Sequence, residues 1–119
     1  MHDFTLMILR HISSKNDHPD KLWHIGLTDD PRKTKKEFQT KYKIVCEYFD
    51  YWHCKNKTEA KRILKEIEDL NKNQGYNFTI CEKTPKPMIF IFLRVEKKDH
   101  KYWKILNAPK PKETIYYIR

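Results

Sequence analysis

Arg32, Lys33, Lys35 and Lys36 stand within five residues of one another, a density of cations suited to phosphate oxygens. Lysine and arginine side chains hold a nucleic-acid backbone by charge without reading its sequence. Arg10, Lys21 and Lys43 are expected near the same surface. Trp23, Tyr51 and Trp52 stack on unpaired bases where they are exposed, and fill a core where they are not. His24 is a candidate general base, because an unperturbed histidine changes charge near neutral pH.

Other chemistries find less support. Ser13 and Ser14 have no nucleophile motif around them, and the chain's two glycines cannot build a phosphate-cradling loop. Cys46, Cys54 and Cys81 form no CxxC pair and are odd in number, which fits a reducing compartment better than a disulfide scaffold or a zinc site. His53 and Cys54 are adjacent in a segment read as extended, so their side chains are expected on opposite faces.

The elements that position these groups follow from periodicity and punctuation. Phe4–Ile12 is an apolar run whose length suits a buried strand. After the polar segment 13–20, the residues from Lys21 to Thr28 return as a second strand containing Gly26. A glycine in a strand marks a sharp turn or a close approach of another group. Asp30 is a good N-cap and Pro31 suits the first helical position, so a helix is expected from Pro31 to about Thr40. Its apolar stripe is thin, with Thr34, Phe38 and Tyr42 at four-residue spacing.

Lys43–Cys54 alternates as a strand with aromatics on both faces. Strict alternation puts Tyr48, Asp50 and Trp52 with Cys46, and Phe49 and Tyr51 with Val45. Asn56-Lys57-Thr58-Glu59 is a capping pattern, followed by Ala60, Ile63, Leu64, Ile67 and Leu70 at helical spacing, with Gly75 as a stop. Tyr76–Cys81, Met88–Glu96, Tyr102–Leu106 and Thr114–Ile118 read as extended, separated by prolines. The fold class is α+β, a small mixed or antiparallel sheet with two helices. Residues 1–75 form a ββαβα core, and 76–119 form a strand-rich extension of the same domain.

At 119 residues the chain is one domain, able to bury about two-thirds of its unfolded surface. The net charge of +9 and pI near 9.4 favour an anionic partner, DNA or RNA first and an acidic protein surface second. A bias toward Lys, Asn, Ile and Tyr, as AT-rich coding sequence produces, is the competing explanation. No apolar run has the length of a membrane span and no leader pattern opens the chain, so an intracellular protein of cytoplasm or nucleus, away from membranes, is expected. The last strand, near Tyr116-Tyr117-Ile118-Arg119, offers an edge for homodimerisation.

The first seventy residues resemble the GIY-YIG nuclease family. Met7-Ile8-Leu9 stands where the family has its first motif, His24-Ile25-Gly26 where it has Tyr-Ile-Gly, and Thr58–Leu70 where it has its second helix. The resemblance implies phosphodiester hydrolysis with Mg²⁺ or Mn²⁺, in which His24 activates water, Arg32 stabilises the phosphate, and Glu59 or Glu66 binds the metal. The chain departs from the family at Met7, His24, Thr34 and Phe38. These departures imply a scaffold kept for nucleic-acid binding, as in an accessory protein of a phage or large DNA virus. An active metal-dependent endonuclease and a module that binds an acidic host protein are the alternatives.

Overall fold

The computed structural model describes residues 2–14, 23–74 and 78–96. Its elements run α1 (Asp3–Ser13), β1 (Trp23–Thr28), α2 (Pro31–Tyr42), β2 (Ile44–His53), α3 (Lys57–Gln74), β3 (Thr79–Glu82) and β4 (Met88–Glu96). Three helices and a four-stranded mixed sheet make an α+β architecture with strand order β2-β4-β1-β3. β4 runs antiparallel to both β2 and β1, while β3 runs parallel to β1. The first three strands therefore share one direction, and β4 slots between two of them.

The chain crosses from β1 to β2 over one face of this sheet through α2. It returns from β2 to β3 over the other face through α3. Reversing both the direction and the face keeps the two crossovers of the same hand, as parallel connections require.

The run expected as a first strand is a helix. Thr5, Ile8 and Ile12 are buried while Leu6 and Met7 stay exposed, a helical period that an apolar run of this length conceals. His2 Nδ1 accepts the Phe4 N–H at 3.0 Å, and Asp3 in the first turn and Arg10 and His11 in the last complement the helix dipole. The sequence motif of an opening hairpin is thus replaced by a helix before β1. Lys21, Gly75, Tyr102–Leu106, Thr114–Ile118 and the proposed dimer edge lie outside the described residues.

Helices α1 and α3 share one face of the sheet. Ile8 and Ile12 of α1 and Ile63, Leu64 and Ile67 of α3 meet Trp23, Ile25 and Leu27 of β1 and Ile89, Ile91 and Leu93 of β4. Each of these buried aliphatic side chains contributes on the order of 1.5–3 kcal/mol. The opposite face is smaller and mostly aromatic. Ile44, Cys46, Phe90 and Phe92 form its buried centre, with Phe38 of α2 and Phe49 packed against them.

Gly26 serves this second face by close approach. Its cross-strand partner is Phe90, and a Cβ at residue 26 would lie 2.8 Å from Phe90 Cζ. The glycine is the space in which the ring lies. Its neighbour His24 stacks on Phe92, centroids 5.2 Å apart.

A bulge corrects the simple alternation expected for β2. Glu47 pairs with Leu93 and Asp50 with Ile91, so Tyr48 and Phe49 together oppose Phe92. Tyr48 takes φ 52°, the left-handed conformation that an inserted residue can require. The phase changes there: Phe49 and Tyr51 come onto the α2 face with Ile44 and Cys46, while Trp52 joins the α1/α3 core.

Candidate nucleic-acid interface

Helix α2 starts as its sequence dictates. The Asp30 carboxylate accepts the Lys33 N–H at 3.2 Å, Pro31 occupies the first turn, and Lys43 closes the helix with φ 54°. What is unusual is its surface, because none of its residues is buried. The helix sits on the sheet through Phe38, whose ring lies 5.9 Å from Phe90 and 5.3 Å from Phe92. Two polar contacts fix its rotation: Gln39 Oε1 accepts the Cys46 N–H at 3.0 Å, and the Thr34 and Thr28 hydroxyls are 2.6 Å apart.

With Phe38, Thr34 and Gln39 turned to the sheet, the cations go outward. Arg32, Lys33, Lys36, Lys41 and Lys43 are exposed and Lys35 is half-buried. No cation of α2 forms an ion pair among the described residues. Elsewhere the charges offset one another locally, as in Lys65–Asp69, Lys83–Glu68 and Lys86–Asp29.

The distribution along the chain makes the same point. Residues 31–43 hold six cations and one carboxylate, and 97–119 hold seven cations and two carboxylates. The remaining residues hold twelve cations and thirteen carboxylates. A coding bias would spread lysine evenly, whereas here the whole excess sits in two segments. Helix α3, with five cations and four carboxylates over residues 57–74, shows what the unsegregated pattern looks like.

Aromatic rings adjoin this charge. Lys35 Nζ lies 5.8 Å from the centroid of Phe49, and the Arg94 guanidinium and Lys41 Nζ lie 5.6 and 5.4 Å from the Tyr42 ring. Tyr42 is 43% exposed and Tyr51 50%. These contacts hold long side chains over flat surfaces, an arrangement suited to cation–π attraction.

At the N-terminal end of α2 a cleft of about 310 Å³ opens beyond the carboxyl ends of β1 and β3, with Asp29, Lys33, Glu37, Glu82 and Lys86 on its walls. Much of its polarity is used internally. The bond from Lys86 and its charge hold the Asp29 carboxyl below the ordinary range, and Glu82 is lowered by the N–H and side chain of Thr84. Lys33 at the rim continues the cationic row of α2.

The groups assigned to nuclease chemistry do not converge. His24 and Arg32 lie on the α2 side, whereas α3, which carries Glu59 and Glu66, covers the opposite face. Phe38, one of the departures from the family, packs against Phe92, the ring on which His24 stacks, so the space between α2 and the sheet there is filled by aromatic side chains. His24 itself is buried.

Both glutamates have structural duties at the joint of α1 and α3. Glu59 accepts the Lys55 N–H at 2.7 Å, while the Asn56 side chain accepts the Glu59 N–H at 2.8 Å. That reciprocal cap was legible in the spacing of Asn56 and Glu59. Glu59 also lies 3.4 Å from His2 Nε2. Glu66 accepts hydrogen bonds from the Thr5 hydroxyl and the His2 N–H. Both donors to Glu66 share its Oε1, and no group of three ligating side chains occurs among the described residues. Glu59 and Glu66 lie across the sheet from His24 and Arg32, and the described residues do not assemble the combined Mg²⁺ or Mn²⁺ and phosphate site that the resemblance implies.

Burial works to raise the Glu66 carboxyl, but the bonds from Thr5 and His2 outweigh it and hold it below its ordinary 4.5. A depressed folded value stabilises the protein above the unfolded value, and the gain is lost as pH falls through the folded one. Urea unfolding at pH 7 and pH 3 is expected to show Glu66→Gln about 1 kcal/mol less stable than the parent at pH 7, with a narrower gap at pH 3. A gap independent of pH would exclude the charged hydrogen bonds as its source.

Three further assignments are corrected by position. Arg10 belongs to α1, across the sheet from α2, so it does not join the cationic row. Trp23 is fully buried in the α1/α3 core and Trp52 packs against that same core; neither offers a free ring to a base. Burial pushes the thiols of Cys46 and Cys81 up to about 12 and that of Cys54 to about 11, so they remain protonated at neutral pH. Tyr42 was expected only as part of the apolar stripe of its helix and Arg94 was not singled out; only the pairing of β4 beside β2 brings Arg94 to the end of α2.

No helix among the described residues is long and apolar enough to cross a membrane. Comparisons with family models, curated proteins and solved structures find no match for this chain.

Proposed function

We propose that this chain binds nucleic acid, with α2 and the adjoining edge of the sheet as the interface and the phosphate backbone as the principal ligand group. The observation that carries the reading is the segregation of charge. Residues 31–43 present six cations against one carboxylate on a helix with no buried residue. Lysine and arginine side chains without an ion-pair partner among the described residues gain most from phosphates, whose condensed counterions are released on binding.

The same reading explains why α2 is anchored through a stripe as narrow as Phe38, Thr34 and Gln39. A helix that presents charge outward needs a narrow anchoring stripe, not a broad apolar face. Binding is assigned here without cleavage, since the carboxylates of α3 are separated by the sheet from His24 and Arg32.

Fluorescence anisotropy with a labelled oligonucleotide, repeated across a salt series, tests the proposal. Affinity is expected to fall linearly in log–log form, with a slope of magnitude about 3–5 if five or six phosphates are engaged. Affinity that does not change with salt would refute it, as would the absence of binding at low salt to both DNA and RNA.

A further inference from the structure

Building on the nucleic-acid reading, we propose that the preferred ligand is single-stranded, its bases stacking on Tyr42 and Tyr51 while α2 holds its phosphates. The bulge in β2 brings Tyr51 onto the face that carries α2, directly across from Phe90. Tyr42 ends the cationic helix itself. The two are among the large hydrophobic side chains left exposed, and both flank the net positive segment.

The surroundings of these rings separate them from ordinary exposed tyrosines. Tyr42 lies 5.5 Å from Phe38, which packs on Phe90 and Phe92. Phe49, between Cys46 and Tyr51 on the same face, lies within 12° of parallel to Phe90 and 6.0 Å from it. The aromatic floor is therefore continuous with the core, and a base added at its margin meets rings already held in place.

Cations lie along the same face, with Arg94 and Lys41 over Tyr42 and Lys35 over Phe49, two residues before Tyr51. A phosphate drawn to these cations places its own base within reach of the tyrosines. A duplex turns its base faces inward and presents only backbone, so it can use α2 but not the rings. A single strand can use both, because every base has a π-face to stack.

The test compares a deoxythymidine oligonucleotide of about 16 nucleotides, the upper range for one small single-strand fold, with a duplex of equal length. The full chain is expected to prefer the single strand by at least about 10-fold. Tyr42→Ala and Tyr51→Ala are each expected to weaken single-strand binding by about 5- to 100-fold and to leave duplex binding unchanged. Tyr51→Phe keeps the ring and retains affinity.

Equal affinity for the two ligands overturns the proposal, and so does alanine substitution at both tyrosines with no loss. In either case a surviving salt dependence keeps the phosphate backbone as a ligand group. Loss of single-strand and duplex binding in equal measure assigns the tyrosines a structural role and also overturns it. Absence of binding to either ligand removes both readings together.

Discussion

Gly26→Ala is expected to lower stability by about 1–2 kcal/mol, although it adds a single methyl group. The new Cβ would meet Phe90 Cζ at 2.8 Å, Phe90 Cε1 at 2.9 Å and Glu82 Cβ at 3.0 Å. Phe90 cannot yield easily, because it is fully buried and has Phe38, Phe49 and Phe92 around it. Overpacking of this kind costs about 1–3 kcal/mol. The more restricted unfolded chain returns about 0.4–1 kcal/mol of it.

Gly26→Val should cost more, since two further methyl groups enter the same space. Urea unfolding checks both, as a shift of midpoint at unchanged slope. A smaller ring-side partner should relieve the clash, so Gly26→Ala combined with Phe90→Leu is expected to be less destabilising than the sum of the two single changes. Strict additivity, or an alanine variant as stable as the parent, would mean that the ring does not rest on the glycine.

The second large effect concerns binding. Changing Arg32, Lys33, Lys35 and Lys36 together to glutamine should weaken nucleic-acid binding by about 10²–10³-fold at low salt and reduce the magnitude of the salt slope by about 3. The two proteins should converge in affinity as salt rises, because the missing contribution is counterion release. Folding should be preserved, since none of the four is buried, and circular dichroism with thermal unfolding provides the control. An unchanged slope would move the interface away from α2. The net positive segment 97–119 would then be the next to neutralise.

How much of this was legible in the residues differs by element. Asp30 and Pro31 announced the start of α2, and Asn56 with Glu59 announced that of α3, because caps are local chemistry. Met88–Glu96 read as a strand and is one. Phe4–Ile12 misled because leucine, methionine and isoleucine crowd the run so densely that neither period stands out. The choice between strand and helix fell to packing against α3.

Alternation in β2 failed at Tyr48 for another reason. A bulge is set by the partner strand, where one residue, Phe92, faces two. The cationic row itself was plain in the sequence, whereas its isolation from Glu59 and Glu66 depended on which face of the sheet each helix covers. Gly26 was expected to mark either a sharp turn or a close approach; the strand runs on through it to Thr28, and the close approach is made by β4, more than sixty residues later in the chain.

The exposed character of α2 has a thermodynamic consequence. Arg32 and Lys36, four residues apart, and Lys33 and Lys36, three apart, are like charges stacked along a helix, and each such pair opposes helicity by about 0.2–0.5 kcal/mol. With no buried residue to compensate, α2 is expected to open at a lower free energy than α3, which is held by Ala60, Ile63 and Ile67. Its amide hydrogens should exchange with deuterium well before those of α3, and an anionic ligand should slow them selectively. The ligand would then be a missing counter-charge of the fold, and part of its binding energy would appear as order in the helix that receives it.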